Sequence, residues 1–223
     1  GALSWEIISK EPEGGFYLGK GGGILNAIAG SFYLAVSATL ISFAISLPVA
    51  LYMNIYLIKN RRLLNGIRFF LDVLWGVPSI VYGAFAFILM MYLGLRNSLG
   101  AGTLTVAAMI IPIMIRAMDE VLKTIPIGLQ EASYALGSTK TETAFKVFFR
   151  EALPGFVTAI LLAFGRGIGD AASVLFTAGY TDYVPHSFKD PSATLPLAIF
   201  FQLGSPIEEV QQRAYAAAII LTV

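Results

Sequence analysis

"DEVLKTIPIGLQEASYALGSTKTETAFKVFFREA", residues 119–152, separates two apolar runs, Leu99–Met118 and Leu153–Ala178, each long enough to cross a bilayer. Within it Leu129, Ala132, Ala135 and Leu136 recur at helical spacing, Gly137 supplies a break, and Ala144, Val147 and Phe148 resume the period. This pattern predicts a helix, a glycine turn and a second helix at the membrane edge. Such a pair either lies on the lipid surface or lays its apolar face in a protein groove, and periodicity leaves both open.

Composition supports the membrane setting. Hydrophobic residues make up 57% of the 223 and charged residues 13%, the mean hydropathy is +0.74, and an ordinary soluble domain carries about 25% charge. Outward from the central linker, further apolar runs fall at Ile28–Ile58 and Phe69–Leu93, and a shorter one starts at Ala214. The expectation is an all-α membrane protein with four spans and the start of a fifth. The chain opens on Gly1 and its last run, "AYAAAIILTV", is ten residues long, against about twenty for a span, so a fragment trimmed at both ends is expected.

Lysine and arginine set the orientation. Lys59, Arg61, Arg62 and Arg68 follow the first run; Arg116, Lys123, Lys140, Lys146 and Arg150 surround the central linker. The positive-inside rule places both segments in the cytoplasm and the amino-terminal stretch outside. The outer connection, residues 179–213, contains "ATLPLAIFFQLG", too short to span and too apolar for a free loop, so an interfacial or re-entrant helix is expected there.

A net charge of +1 gives no nucleic-acid footprint, and zero cysteines exclude disulfides, thiolate metal sites and cysteine nucleophiles. No metal or cofactor site is expected. "GGFYLGKG", Gly14–Gly21, has the spacing of a phosphate-binding loop but places Gly21 where a magnesium-binding Ser or Thr is required.

Two charges break the hydrocarbon in "GRGIGDAASVLFTAG", residues 165–179. A charged side chain near the bilayer centre costs roughly 2.5–3.5 kcal/mol on insertion scales, so Arg166 and Asp170 demand a reason. Four apart on a helix, they share a face and can pair. The residues leave two roles open. The pair either neutralises itself and joins helices, with Gly165 and Gly169 as a small-residue packing face, or Arg166 lines a water-filled path for an oxyanion. Gly76 and Pro78 in the second run are read as a kink or a gating hinge.

At these positions the sequence resembles known proteins. "EASYALGSTKTETAFKVFF" resembles the EAA loop of ABC importer permeases, which implies that Glu131, Ala132, Ser133 and Gly137 mark a coupling helix docking into a nucleotide-binding subunit; Ser133 stands where the motif repeats alanine. "GVPSIVYG" (Gly76–Gly83), "GGGILNAIAGSFYL" (Gly21–Leu34) and the Gly165–Gly179 stretch resemble the phosphate-specific permeases, and the ending "LFTAG" their A-type subunit.

The resemblance implies a type I ABC importer permease fold: one transmembrane permease domain over residues 1–223, with about five transmembrane helices, a cytoplasmic coupling loop at 119–152 and an external loop at 179–213. It also implies a family helix before Gly1 and a longer last helix. The chain is then a non-catalytic subunit in a prokaryotic cytoplasmic membrane, passing inorganic phosphate by alternating access. Its implied partners are a second, C-type permease subunit, two ATP-binding subunits and an external phosphate-binding protein. Arg166 and Asp170 are the implied substrate-pathway pair. The competing readings are a same-fold permease for sulfate or molybdate and an ATP-independent channel or carrier.

Overall fold

The computed structural model describes residues 5–13 and 21–222, so Gly14–Lys20 of the glycine-lysine stretch lies outside the described residues. The described chain is helical: α1 (Trp5–Ser9), α2 (Leu25–Ile55), α3 (Arg61–Gly76), α4 (Ser79–Tyr92), α5 (Leu99–Lys123), α6 (Ile127–Ala135), α7 (Lys140–Glu142), α8 (Phe149–Ile168), α9 (Leu195–Gln202) and α10 (Glu208–Thr222). A π-helical segment, Thr143–Phe148, joins α7 to α8, making one helical run from Lys140 to Ile168. The only extended pairing among these residues is a two-residue antiparallel ladder, Pro12–Glu13 with Gly21–Gly22.

Three helices, Leu25–Ile55, Leu99–Lys123 and Lys140–Ile168, are long and apolar enough to cross a membrane, or four spans if α3 and α4 count as one. This corrects the run boundaries read from hydropathy. The second run is not one kinked helix: α3 stops at Gly76, Val77 and Pro78 are extended (ψ 128° and 138°), and Pro78 opens α4. Proline biases its predecessor away from helix and is itself suited to begin the next one, which accounts for a full break. The run assigned to Leu153–Ala178 begins earlier, at Lys140, and ends ten residues sooner, at Ile168. The last helix begins at Glu208, before its apolar part.

The chain forms two compact units. One comprises residues 1–38, 78–107 and 166–223; the other comprises 39–77 and 108–165.

In the first unit Ile24 and Ala27 pack with Ala193, Leu195, Ala198, Ala216 and Ala217, joining α2, α9 and α10 through small residues. The expected short outer helix is α9, capped by Thr194, whose hydroxyl accepts from the Leu197 N–H, with Pro196 harmless in the first turn. Several backbone carbonyls of the irregular stretch between α8 and α9 accept from neighbouring elements, the kind of satisfaction that non-helical backbone in an apolar setting requires. The Ser98 N–H donates to the Thr177 carbonyl at 3.0 Å, Leu99 to Asp190 at 2.7 Å, and Leu195 to the Ser31 hydroxyl at 2.7 Å. Close approach depends on a missing side chain: a Cβ on Gly83 of α4 would sit 2.8 Å from the Ser173 carbonyl oxygen and 2.9 Å from that of Ala172.

In the second unit Met53, Leu64, Leu71 and Ile115 form a core joining α2, α3 and α5. Leu64 and Leu71 are seven apart, two turns along one face of α3, while Phe69 and Phe70 on its other faces are exposed, as suits a helix bordered by lipid or by another chain.

Candidate functional site

Arg166 belongs to the last turn of α8, and its guanidinium Nη1 lies 3.2 Å from Asp170 Oδ1. The pair is made, but not along one helical face as the spacing suggests, because the helix ends at Ile168 and Asp170 lies beyond it. Glycines at 167 and 169 weaken helix continuation there. The partners differ in surroundings: the Arg166 side chain is 46% exposed, that of Asp170 only 3%. The other Asp170 oxygen accepts the Ser173 N–H at 2.8 Å, capping the next turn, where Thr177 and Ala178 donate to the Val174 carbonyl. One buried carboxylate thus holds both the turn and the arginine, leaving most of the guanidinium's five donors available.

Of the small residues expected to pack or hinge, Gly76 and Gly165 meet nothing within 4 Å of an added Cβ, so neither makes a close contact within the described chain. Gly169 is the turn residue after α8, and Pro78 opens α4.

The central linker is a helix, a glycine turn and a helix. Gly137 follows α6 at φ +83°, in the region that favours glycine. Its N–H donates to the Tyr134 carbonyl at 2.9 Å and that of Ser138 to Ser133 at 3.2 Å, the two reversed bonds of a Schellman stop. Thr139 and Glu142 then form a reciprocal capping box that starts α7. Ser133, standing where the motif repeats alanine, is buried and shares a 2.9 Å hydrogen bond with Thr143, fastening the two helices. Glu131 and Ala132 are exposed, as are Ile127 (71%) and Leu136 (88%), so α6 and its C-cap present an apolar surface that the described residues leave uncovered.

A third constellation is not evident from sequence, where Arg68, Arg116 and Lys123 count only as orienting charges. Asp119 is fully buried and accepts five donors. Arg68 reaches both oxygens (Nη2 to Oδ1 2.8 Å, Nε to Oδ2 2.9 Å). Asn54 Nδ2 reaches Oδ1 at 2.9 Å, Arg116 Nη1 reaches Oδ2 at 2.7 Å, and Lys123 Nζ reaches Oδ2 at 3.1 Å. Arg116 also holds Asp72 at 2.6 Å and Glu120 at 3.2 Å. The signal in the sequence is Arg116, Asp119 and Lys123 at intervals of three and four inside an apolar helix. Arg68 and Asn54, 51 and 65 positions away, give none. Among the described residues no group of three or more His, Asp or Glu is arranged to hold a metal ion.

The chain is similar to the permease PstA of the phosphate transport system of Haemophilus influenzae, 33% identical over 90% of this chain and 71% of that one. It is similar to PstA of Yersinia pestis (35%, over 91% and 68%) and of Pasteurella multocida (32%, over 99% and 78%). Its fold is that of a type I ABC importer permease: a chain of the inward-facing MetNI methionine ABC transporter superposes with a TM-score of 0.72, at 21% identity over 89% of each chain. The sequence profile of binding-protein-dependent transport system inner membrane components matches residues 46–223. With four-fifths of its length under that profile, the chain belongs to the family of binding-protein-dependent transport system inner membrane components.

Proposed function

We propose that this chain is the A-type permease subunit of an ATP-driven importer of inorganic phosphate. The observation that carries the substrate is the shared name of its relatives, phosphate transport permeases in three bacteria over nine-tenths or more of this chain. The geometry supports the same chemistry. A guanidinium presents a fork of donors matched to tetrahedral oxyanions and stays charged when desolvated, and Arg166 is half exposed. Asp170 aims it and offsets its charge, which keeps the anion from being held too tightly to leave.

The energy comes from partners. In this reading the chain sits in a prokaryotic cytoplasmic membrane beside a C-type permease subunit, with two ATP-binding subunits inside and a phosphate-binding protein outside. The exposed apolar surface of α6, with Glu131, Ala132 and Gly137, docks on an ATP-binding subunit. Nucleotide shifts the permease between inward-open and outward-open states only through unequal affinity for the two.

The test is uptake by the four-subunit complex in proteoliposomes with the binding protein added outside. Phosphate uptake that requires ATP inside, and that sulfate and molybdate do not displace, supports the reading. Displacement by either anion supports a same-fold permease for that anion, and uptake without ATP supports a channel or carrier.

A further inference from the structure

We propose that Asp119 is a positioning residue for energy coupling: it clamps α2, α3 and α5 at the root of the α6 element, so that force on the docking helix moves these helices together. The inference rests on the importer reading above.

Burial of this carboxylate is not explained by stability alone, since replacing a buried ion cluster with apolar residues of similar volume is often neutral or stabilising. What such a cluster supplies is direction. Arg68 of α3 grips both oxygens, Asn54 of α2 and Lys123 of α5 take one each, and Arg116 extends the grip to Asp72 of α3. The three acids, Asp72, Asp119 and Glu120, balance the three bases, Arg68, Arg116 and Lys123. A balanced cluster has no reason to attract a counter-ion, which argues against an anion site in the adjoining 350 Å³ cavity, although Arg61, Arg68 and Lys123 line it.

The location gives the clamp its role. The element from α6 to α7, besides running on into α8, meets the clamped helices at two places, and Asp119 holds the root of each. On one side α5 ends four residues after Asp119, and Thr124–Pro126 lead into α6; the Thr124 and Ile125 N–H groups donate back to Val121 and Leu122, and Ile125 is buried. On the other side Asn54 is followed two residues later by Tyr56. The Tyr56 hydroxyl lies 2.9 Å from that of Thr141, and its ring lies 5.2 Å below the Lys140 ammonium. A push on α6 therefore reaches α5 through the linker and α2 through Tyr56, and the carboxylate ties both to α3. All these residues lie in one compact unit.

The test is the ratio of phosphate taken up to ATP hydrolysed, measured on the assembled complex in proteoliposomes. Asp119→Asn keeps the shape but removes the one charge that Arg68, Arg116 and Lys123 share; we expect hydrolysis within about threefold of the parent and the uptake ratio at least fivefold lower. Arg68→Lys keeps the charge and the fold but loses the two-point grip; a ratio at least twofold lower is expected. An unchanged ratio in an assembled Asp119→Asn complex overturns the proposal. If that variant does not assemble, Arg68→Lys decides, and an unchanged ratio there overturns it equally. A parent complex that hydrolyses ATP without taking up phosphate refutes the importer reading and this inference with it, whereas a coupled parent with unchanged variants refutes only the role of Asp119.

Discussion

Asp170 holds Arg166 from outside the helix that carries it: the arginine sits in the last turn of α8, the buried carboxylate two residues beyond its end, and they meet at 3.2 Å. A pair astride a helix end has a soft backbone between its members. The arginine can then change partner without unwinding a helix, provided the carboxylate stays fixed, and its second oxygen is fixed by the Ser173 N–H.

Asp170 is therefore expected to have two separable effects. Asp170→Ala loses the cap on the next turn and costs about 0.5–2 kcal/mol of stability. Asp170→Asn retains an acceptor for Ser173 and costs less, while altering uptake less than loss of Arg166 does. Thermal unfolding in detergent and uptake in proteoliposomes, on the same two variants, check both. Equal destabilisation by Asn and Ala would show that the cap contributes nothing.

Gly83 allows the Ala172–Ser173 backbone to lie against α4. Gly83→Ala places a methyl group 2.8 Å from a carbonyl oxygen, an overpacking that costs about 1–3 kcal/mol. Because the displaced segment carries the Asp170–Ser173 bond, uptake is expected to fall as well. A variant with parent melting temperature and parent uptake contradicts this.

Gly137→Val forces a β-branched residue to φ +83°, at a cost of about 1–2 kcal/mol. No neighbour lies within 4 Å of its Cβ, so the effect is confined to the turn. The variant is expected to insert normally and to lose association with the ATP-binding subunit, measured by co-purification. Normal association and normal uptake would favour helices that lie on the lipid surface.

Orientation is checked by single cysteines in place of Asn65 and Thr139, both exposed. Each is expected to resist impermeant thiol reagents in intact cells and to react after the inner face is opened. Labelling of either from outside reverses the topology.

Features of this fold are legible in the sequence to the extent that their causes are local. The α6 turn is readable because glycine and helical period act within a few residues of each other. The helix ends are not. Hydropathy is indifferent to whether an apolar residue is helical, so Val77–Pro78 and the segment after Ile168 are absorbed into spans that the backbone interrupts. Asp119 is harder still, because its partners include residues from two other helices, and the orientation count weighs only the lysines and arginines around it. The spacing of Arg166 and Asp170 announces their contact, but not the helix end between the two.

The most direct measurement is phosphate uptake by complexes carrying Arg166→Ala and Arg166→Lys, with subunit assembly quantified in the same membranes. Arg166→Ala is expected to assemble and to lose uptake at least a hundredfold, because its side chain is half exposed and makes no packing core. Arg166→Lys, keeping the charge without the fork, is expected to recover uptake only in part. An Arg166→Ala complex that assembles and transports phosphate at the parent rate contradicts the account.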